Sequence, residues 1–251
     1  MNHKATYSPE YPLNQIIQTI WVANEDKLEL SLKHKAPLFT ELIFNYGDVF
    51  QVDGDNVESF VSVSEHYLIS GLKTSPFTTT LAGKHLNVGL ILKPHYYGLL
   101  LELFASESMR IISDLFYDYL IIPETPNFQE VEKHLIKLLK IIVIDPEIRK
   151  FNQSISADSL RNGAINDFID DASLSHKGFI DKFKRLYNLT PNEFIKLNQV
   201  EYAEKLIKRH PKASLTQIGL EAGFYDQSHF IRVFKKQHGI TPKQFQKNRL
   251  K

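Results

Sequence analysis

The feature that most constrains the fold is an internal repeat in the last third of the chain. Residues 164–194 and 217–245 each contain a short amphipathic segment, a turn, two Phe four residues apart, two basic residues and a Thr-Pro pair, and equivalent Phe residues are 51 positions apart. Apolar residues at this spacing form one face of an α-helix, and Thr followed by Pro is typical of a helix start. The repeat therefore predicts two copies of one helical unit.

Each copy has the layout of a helix-turn-helix, in which a second helix docks on a first through its apolar face. Gly223 stands in the turn of the second copy, where it allows the positive φ that a tight turn needs. The predicted core of this copy consists of Ile218, Leu220, Ala222, Phe224, Phe230 and Phe234, which leaves Gln227, Ser228, Ile231 and Arg232 exposed.

The outward face of each second helix carries side chains suited to DNA. Gln can form two hydrogen bonds with an adenine edge and Arg with a guanine edge in the major groove, while Lys binds phosphate. A helical hairpin with an ordinary solvated face is the alternative for one such helix, but two tandem copies make it less attractive. The candidate DNA-binding residues are Lys177, Lys182, Arg185, Gln227, Ser228, His229, Arg232, Lys235 and Lys236.

Charge divides the chain near Pro146. Residues 146–251 hold 19 Lys and Arg against 11 Asp and Glu, a net +8, and the whole chain is +1, so residues 1–145 carry −7. A basic segment favours a module that binds a polyanion, and a merely basic helical domain is the alternative. We therefore expect two domains, residues 1–145 and residues 146–251.

Residues 28–92 alternate apolar and polar side chains, which is typical of half-buried strands. Leu28, Leu30 and Leu32 follow this pattern, and turn-rich residues 46–56 and 81–85 are typical of hairpin connections. The fold class predicted is α+β with two domains. The first is an antiparallel β sandwich or barrel with flanking helices, and the second is all-α with two helix-turn-helix motifs joined by a linker helix.

Two helices are predicted beside the sheet. One is short, at residues 98–104, and a longer amphipathic one spans residues 128–144 and stops at Asp145-Pro146. The longer helix packs on the sheet or pairs with its copy in a homodimer, and both alternatives stay open.

Several functions are excluded or disfavoured by what the sequence lacks. Without Cys there is no disulfide, no thiol nucleophile and no Cys-ligated zinc. Neither a Gly-rich phosphate loop nor a G-x-S-x-G or H-E-x-x-H motif occurs, so we expect no enzyme and no cofactor. With no secretory signal and no apolar run of membrane-spanning length, we expect a soluble, cytoplasmic protein that does not contact membranes. A metal site is not expected, because the candidate ligands are scattered: His34, His66, His85 and His95.

The stretch IGLEAGFYDQSHFIRVFKKQHGITPKQFQK resembles the C-terminal signature of AraC-type (AraC/XylS) transcriptional regulators, and the resemblance covers roughly residues 150–248. It implies that one monomer lays two recognition helices into successive major-groove segments of double-stranded DNA, joined by a linker helix at residues 193–208. The residues at the family's spacing are Gly223, Phe224, Ser228, Phe230, Arg232, Phe234, Lys235, Gly239, Thr241 and Pro242.

The first copy departs from the family pattern. Asp181 stands where Arg is usual, and Ile180 stands where polar base-reading residues are common. We therefore expect the first helix to bind mainly phosphates, with weak base readout. Gln199 replaces a linker Arg, which is expected to loosen the packing of the linker. An interaction or anti-regulator module that reads no bases is the alternative function.

The N-terminal part has a fainter resemblance to the β-rich regulatory domain of one branch of these regulators. The resemblance implies a domain that binds a small-molecule effector or mediates dimerisation, with RNA polymerase as a further partner. Seven aromatic residues of this part either line a pocket or pack in the core: Trp21, Phe44, Tyr46, Phe50, Phe60, Tyr67 and Phe77.

Overall fold

A computed structural model describes residues 3–55, 60–64, 66–98, 101, 108–138, 150 and 175–249. The chain divides into two compact units. The first unit contains residues 1–33, 39–72 and 78–143, and the second contains residues 34–38, 73–77 and 144–251. Most of the second unit is the basic C-terminal part of the sequence, and it also includes two short segments from the first half of the chain.

The first unit is built on an antiparallel sheet, and the predicted α+β class is confirmed. The order along the sheet is β1-β2-β7-β3-β6-β5, and β4 pairs with β7. In β3, which pairs with β7 and β6, the consecutive residues Leu42, Ile43, Phe44 and Asn45 are all buried, so both faces of this strand are covered. The strands are β1 (His3–Tyr7), β2 (Ile17–His34), β3 (Thr40–Asn45), β4 (Gln51–Gly54), β5 (Phe60–Ser64), β6 (Tyr67–Ser70) and β7 (Phe77–Leu92).

The predicted hairpin connection at residues 81–85 is wrong, because β7 runs through these residues. Gly83 has a φ of 99°, and a Cβ there would lie 2.2 Å from an oxygen of the Asp48 carboxylate. That carboxylate accepts a 2.7 Å hydrogen bond from the Lys84 backbone N–H. Residues 82–84 (Ala-Gly-Lys), whose composition is typical of a turn, therefore form a distortion inside the long strand β7.

The leucine alternation at residues 28–32 lies in β2, so the strand prediction is correct, but the burial prediction is not. Leu30 is 38% exposed and Leu32 is 40% exposed. Alternation identifies a strand, whereas the burial of one face depends on what packs against it.

Two helices of the first unit are described, α1 (Ser108–Phe116), continued by a π-helical turn (Tyr117–Ile121), and α2 (Phe128–Leu138). Val131 and Leu135 of α2 are fully buried within this chain. The Glu132 carboxylate accepts hydrogen bonds from the Tyr7 hydroxyl and from the Glu10 backbone N–H.

Of the two alternatives for the predicted helix at 128–144, packing within the chain is thus observed for residues 128–138. Residues 139–144 lie outside the described part. So do most residues of the short helix predicted at 98–104.

The described C-terminal part of the second unit is helical, as predicted. Its helices are α3 (His176–Tyr187), α4 (Pro191–Arg209), α5 (Leu215–Glu221), α6 (Gln227–His238) and α7 (Pro242–Arg249). Helix α4 is the predicted linker, and α5 with α6 is the second helix-turn-helix. The first helix of the first copy falls on residues outside the described part. Among the helices that can be described, none is both long and apolar enough to cross a membrane.

Candidate nucleic-acid interface

Helices α3 and α6 are structural copies of each other. Both have 12 residues, and every boundary is shifted by 51 positions. Ser175 caps α3 by accepting from the Gly178 backbone N–H, and Asp226 caps α6 by accepting from the His229 backbone N–H. Both helices end on a residue in the left-handed region, Asn188 in one and Gly239 in the other. The internal repeat is therefore present in the fold as well as in the sequence.

The predicted aromatic face of each helix is its buried face. Phe179 and Phe183 of α3 are fully buried, as are Phe230 and Phe234 of α6. Because buried residues recur every three to four positions, the opposite side of each helix is left facing solvent. The core that α6 shares with α4 and α5 contains Val200, Ala203, Leu206, Ile207, Ile218, Ala222, Phe224, Phe230, Val233 and Phe234.

The turn between α5 and α6 has the predicted glycine geometry, with a φ of 87° at Gly223. The helices also approach closely at Gly219, where a Cβ would lie 2.9 Å from the Phe230 ring. The prediction that Leu220 is a core residue is wrong, since it is 49% exposed. Ile218 and Gly219 occupy the inward positions of this short helix, so the next residue projects away from α6.

Gln199 connects the linker helix α4 to this turn by a hydrogen bond. The prediction that Gln199 loosens the packing of the linker is therefore wrong. Its side chain is buried within the helical unit, and its Nε2 donates a 2.9 Å hydrogen bond to the Gly223 carbonyl oxygen. A buried side-chain amide without a partner is costly, and the Gly223 carbonyl provides the partner of the buried Gln199 amide. Gln at this position therefore stabilises the second helix-turn-helix.

Replacing Gln199 by Met should lower the free energy of unfolding of the helical unit by about 1–3 kcal/mol, because the Gly223 carbonyl loses its donor while the side-chain volume is nearly kept. Denaturant unfolding of the full chain measures this loss. The matched control is Gln217→Met, at an exposed position of α5. Equal stability of the two variants would contradict the role given to Gln199.

The predicted residues of α6 lie together on its outward face. Gln227, Ser228, Arg232, Lys235 and Lys236 are all exposed. Residues four apart lie on the same side of a helix, so these side chains form two parallel rows. Gln227 and Lys235 lie in one row, and Ser228, Arg232 and Lys236 lie in the other. The last two are also in the final turn of α6, where cations interact favourably with the helix dipole.

His229 differs from its neighbours on α6, because it is half-buried and its ring lies edge-on to Phe224 at a centroid distance of 5.6 Å. Burial lowers the pKa of His229, and the charges of Lys196 and Arg232 lower it further. The lowered pKa favours the neutral form of this ring.

The predicted residues of α3 are divided between two sides of the helix. Lys177 and Arg185 are exposed, but Lys182 is half-buried and occupies the position equivalent to Val233 of the core. Lys184 is exposed at the position equivalent to Lys235, and the sequence prediction missed it. The offset of 51 residues, applied to each candidate in turn, would have identified Lys184.

A buried carboxylate connects three segments of the helical unit. Glu204 of α4 accepts hydrogen bonds from Lys35 and, at 2.5 Å, from Lys208 of α4. Its other contact is His238 Nε2 of α6, at 3.3 Å. The Ala36 backbone N–H donates to the Gln237 carbonyl at 3.0 Å, so residues 34–38 are held to α6 beside this carboxylate.

The acid stability of the helical unit should depend on Glu204. Burial raises the pKa of this carboxyl, but the hydrogen bonds from His238, Lys208 and Lys35 outweigh it and lower the pKa below its ordinary value of 4.5. A depressed pKa contributes stability above pH 4.5 that is lost as the pH falls further.

We expect Glu204→Gln to be less stable at pH 7 by about 1–2 kcal/mol and to lose less stability on acidification than the unmodified chain. The control is Glu201→Gln, whose partner Lys205 is exposed and which should behave like the unmodified chain. Parallel stability curves for Glu204→Gln and the unmodified chain would contradict this prediction.

Metal chemistry gains no support from the described residues. No group of three or more His, Cys, Asp or Glu side chains lies close enough among them to hold a metal ion.

Of the predicted pocket aromatics, Phe44 is fully buried in the core, and Trp21 donates its indole N–H to the Glu41 carboxylate at 2.7 Å.

Two family models match the chain. The model of a helix-turn-helix domain matches residues 169–248, and the model of a domain of unknown function, DUF6597, matches residues 5–110. Together they cover a part of each structural unit.

Named relatives match a third of the chain. The HTH-type transcriptional activator RhaR of Escherichia coli O1:K1 is 30% identical over 82 residues, which are 33% of this chain and 29% of RhaR. RhaR of Shigella flexneri serotype 5b matches with the same values. The chain thus spans less than a third of the length of these curated relatives. A solved structure of ToxT from Vibrio cholerae is 15% identical with a TM-score of 0.47, over 97% of both chains.

The helix-turn-helix match, the RhaR relatives and the repeated capped helices agree on one kind of C-terminal domain. The C-terminal part of the chain therefore carries a helix-turn-helix domain, a third of the chain is similar to the HTH-type transcriptional activator RhaR, and the N-terminal unit is β-rich.

Proposed function

We propose that this protein is a sequence-specific, double-stranded DNA-binding transcription regulator. In this proposal α3 and α6 enter successive major-groove segments, and α4 holds them as one rigid linker. The observation that carries the proposal is the equivalence of the two capped helices, each with a buried aromatic face and an exposed basic face, within a helix-turn-helix domain.

In the proposed complex α6 does most of the base reading. Arg232 is suited to guanine and Gln227 to adenine, because each side chain can form two hydrogen bonds with the respective base edge. Ser228 and the neutral His229 add further hydrogen-bonding groups at the same end of the helix. Lys235 and Lys236 then bind phosphates and fix the register of the helix on the duplex.

Helix α3 contributes mainly through the backbone of the DNA. Lys177, Lys184 and Arg185 are exposed and can bind phosphates. Asp181 is exposed at the position equivalent to Arg232, and a carboxylate repels phosphate but can accept a hydrogen bond from cytosine N4. The two helices therefore read different base pairs at this position.

The β-rich domain is proposed to control DNA binding, through a small-molecule effector or a protein partner. A homodimer and a complex with RNA polymerase fit a regulator of this kind, and so does a place in the cytoplasm. No catalytic step is part of the proposal, and it needs no cofactor.

Selection of the purified full chain on a pool of random duplexes tests this function. The selected sequences should contain two short elements about one helical turn apart. Binding to them should weaken steeply with added salt, since several lysines and arginines displace counterions. Equal affinity for selected and random duplexes would contradict the proposal and would favour a module that reads no bases.

A further inference from the structure

Helices α3 and α6 have the same residue at only four of their twelve equivalent positions. Two of these are the buried Phe pair, which the core requires. The third is Lys184 with Lys235, which suits phosphate under the proposed function. The fourth is Ile180 with Ile231, which are uncharged and lie outside the buried Phe pair.

Ile231 lies on the outward face of α6 and is 39% exposed. Gln227 and Lys235 are four residues away on either side, so all three lie in one row along the helix. An exposed position gains little from an apolar side chain, and β-branched residues favour helix less than Lys or Gln does. Because 39% of Ile231 is exposed, part of this apolar side chain is available to a group outside the chain. Ile180 occupies the equivalent position on α3 and is half-buried.

We propose that Ile180 and Ile231 each contact the C5-methyl group of a thymine in the major groove. This inference rests on the proposed function and names part of the sequence that is read. The thymine methyl is the apolar group that a base pair displays in the major groove, and its contact with Ile removes both from water. The polar and cationic neighbours, Gln227 and Lys235, suit a DNA duplex rather than an apolar protein surface.

Under this proposal, the two DNA elements share one base pair and differ at a neighbouring base pair. Both elements contain a T·A pair, placed at the same register relative to each helix. The base pair that faces Arg232 in one element faces Asp181 in the other, and these side chains prefer different base edges.

Deoxyuridine tests the contact directly, because it differs from thymidine only in lacking the methyl group. Each thymine of the selected duplex is replaced in turn, and the Kd of the full chain is measured. One position in each element should bind about fourfold more weakly, as expected for the loss of one buried methyl group. In Ile231→Ala, thymine and deoxyuridine should bind equally at the α6 position, while the α3 position keeps its preference.

The control is Leu220→Ala, which removes another exposed apolar side chain of the same motif and should keep both preferences. A selected duplex in which no deoxyuridine weakens binding would overturn this inference and leave the proposed function standing. Ile231→Ala that keeps the preference at every position would also overturn it. A chain that selects no duplex overturns the proposed function and this inference with it.

Discussion

Arg232→Ala should weaken binding to the selected duplex by about 1–3 kcal/mol, which is roughly fivefold to 150-fold in Kd, and should relax the preference at one base pair. Arg232 is exposed on the face of α6 that lies opposite its buried Phe pair. Two hydrogen bonds to a guanine edge would be lost, and Ala cannot replace them. Competition binding against duplexes that vary each base pair measures both effects.

The control for this variant is Lys235→Ala on the same helix. A phosphate contact carries no sequence information, so this variant should weaken binding to all duplexes alike. The slope of the logarithm of the binding constant against the logarithm of salt concentration should become shallower by about one. Arg232→Ala that binds every duplex as the unmodified chain does would show that Arg232 does not read a base.

Phe234→Ala should lower the free energy of unfolding of the helical unit by about 3–5 kcal/mol, the usual cost of removing a buried aromatic side chain. Phe234 is fully buried. Its ring stacks on His238 at a centroid distance of 4.2 Å and lies edge-on to Phe230 and Phe245. The substitution leaves a cavity where α6 meets α7. Denaturant unfolding, followed by far-UV circular dichroism of the full chain, measures the loss.

Ile231→Ala on the same helix is the matched control for stability, because its side chain is partly exposed and should cost less than about 1 kcal/mol. Since the chain has two units, only the transition that reports the helical unit should shift. A similar loss in Ile231→Ala and Phe234→Ala would contradict the assignment of buried and exposed faces.

The sequence predicted the helical unit in detail because its signals are local. The Phe pairs mark the buried faces, and the Thr of the first Thr-Pro pair, Thr190, caps α4 reciprocally with Glu193. Gly223 has the predicted positive φ. Each of these features is decided by residues within one or two helical turns, so the sequence pattern alone is sufficient.

The features that sequence reasoning missed depend on contacts between distant residues. From the sequence, Gln199 in place of Arg predicts looser packing of the linker helix. Its partner, the Gly223 carbonyl, is 24 positions away and is identified only in the structure. Lys35 belongs to the cluster around Glu204, although 169 positions separate the two. The distortion at Gly83 likewise depends on Asp48, which lies in the connection between β3 and β4. No local periodicity carries such information.

The central claim is that both α3 and α6 contact one duplex, and hydroxyl-radical footprinting of the full chain on the selected duplex tests it most directly. We predict two protected patches on one face of the DNA, separated by about one helical turn. A single patch, or uniform weak protection along the duplex, would contradict reading by two helices.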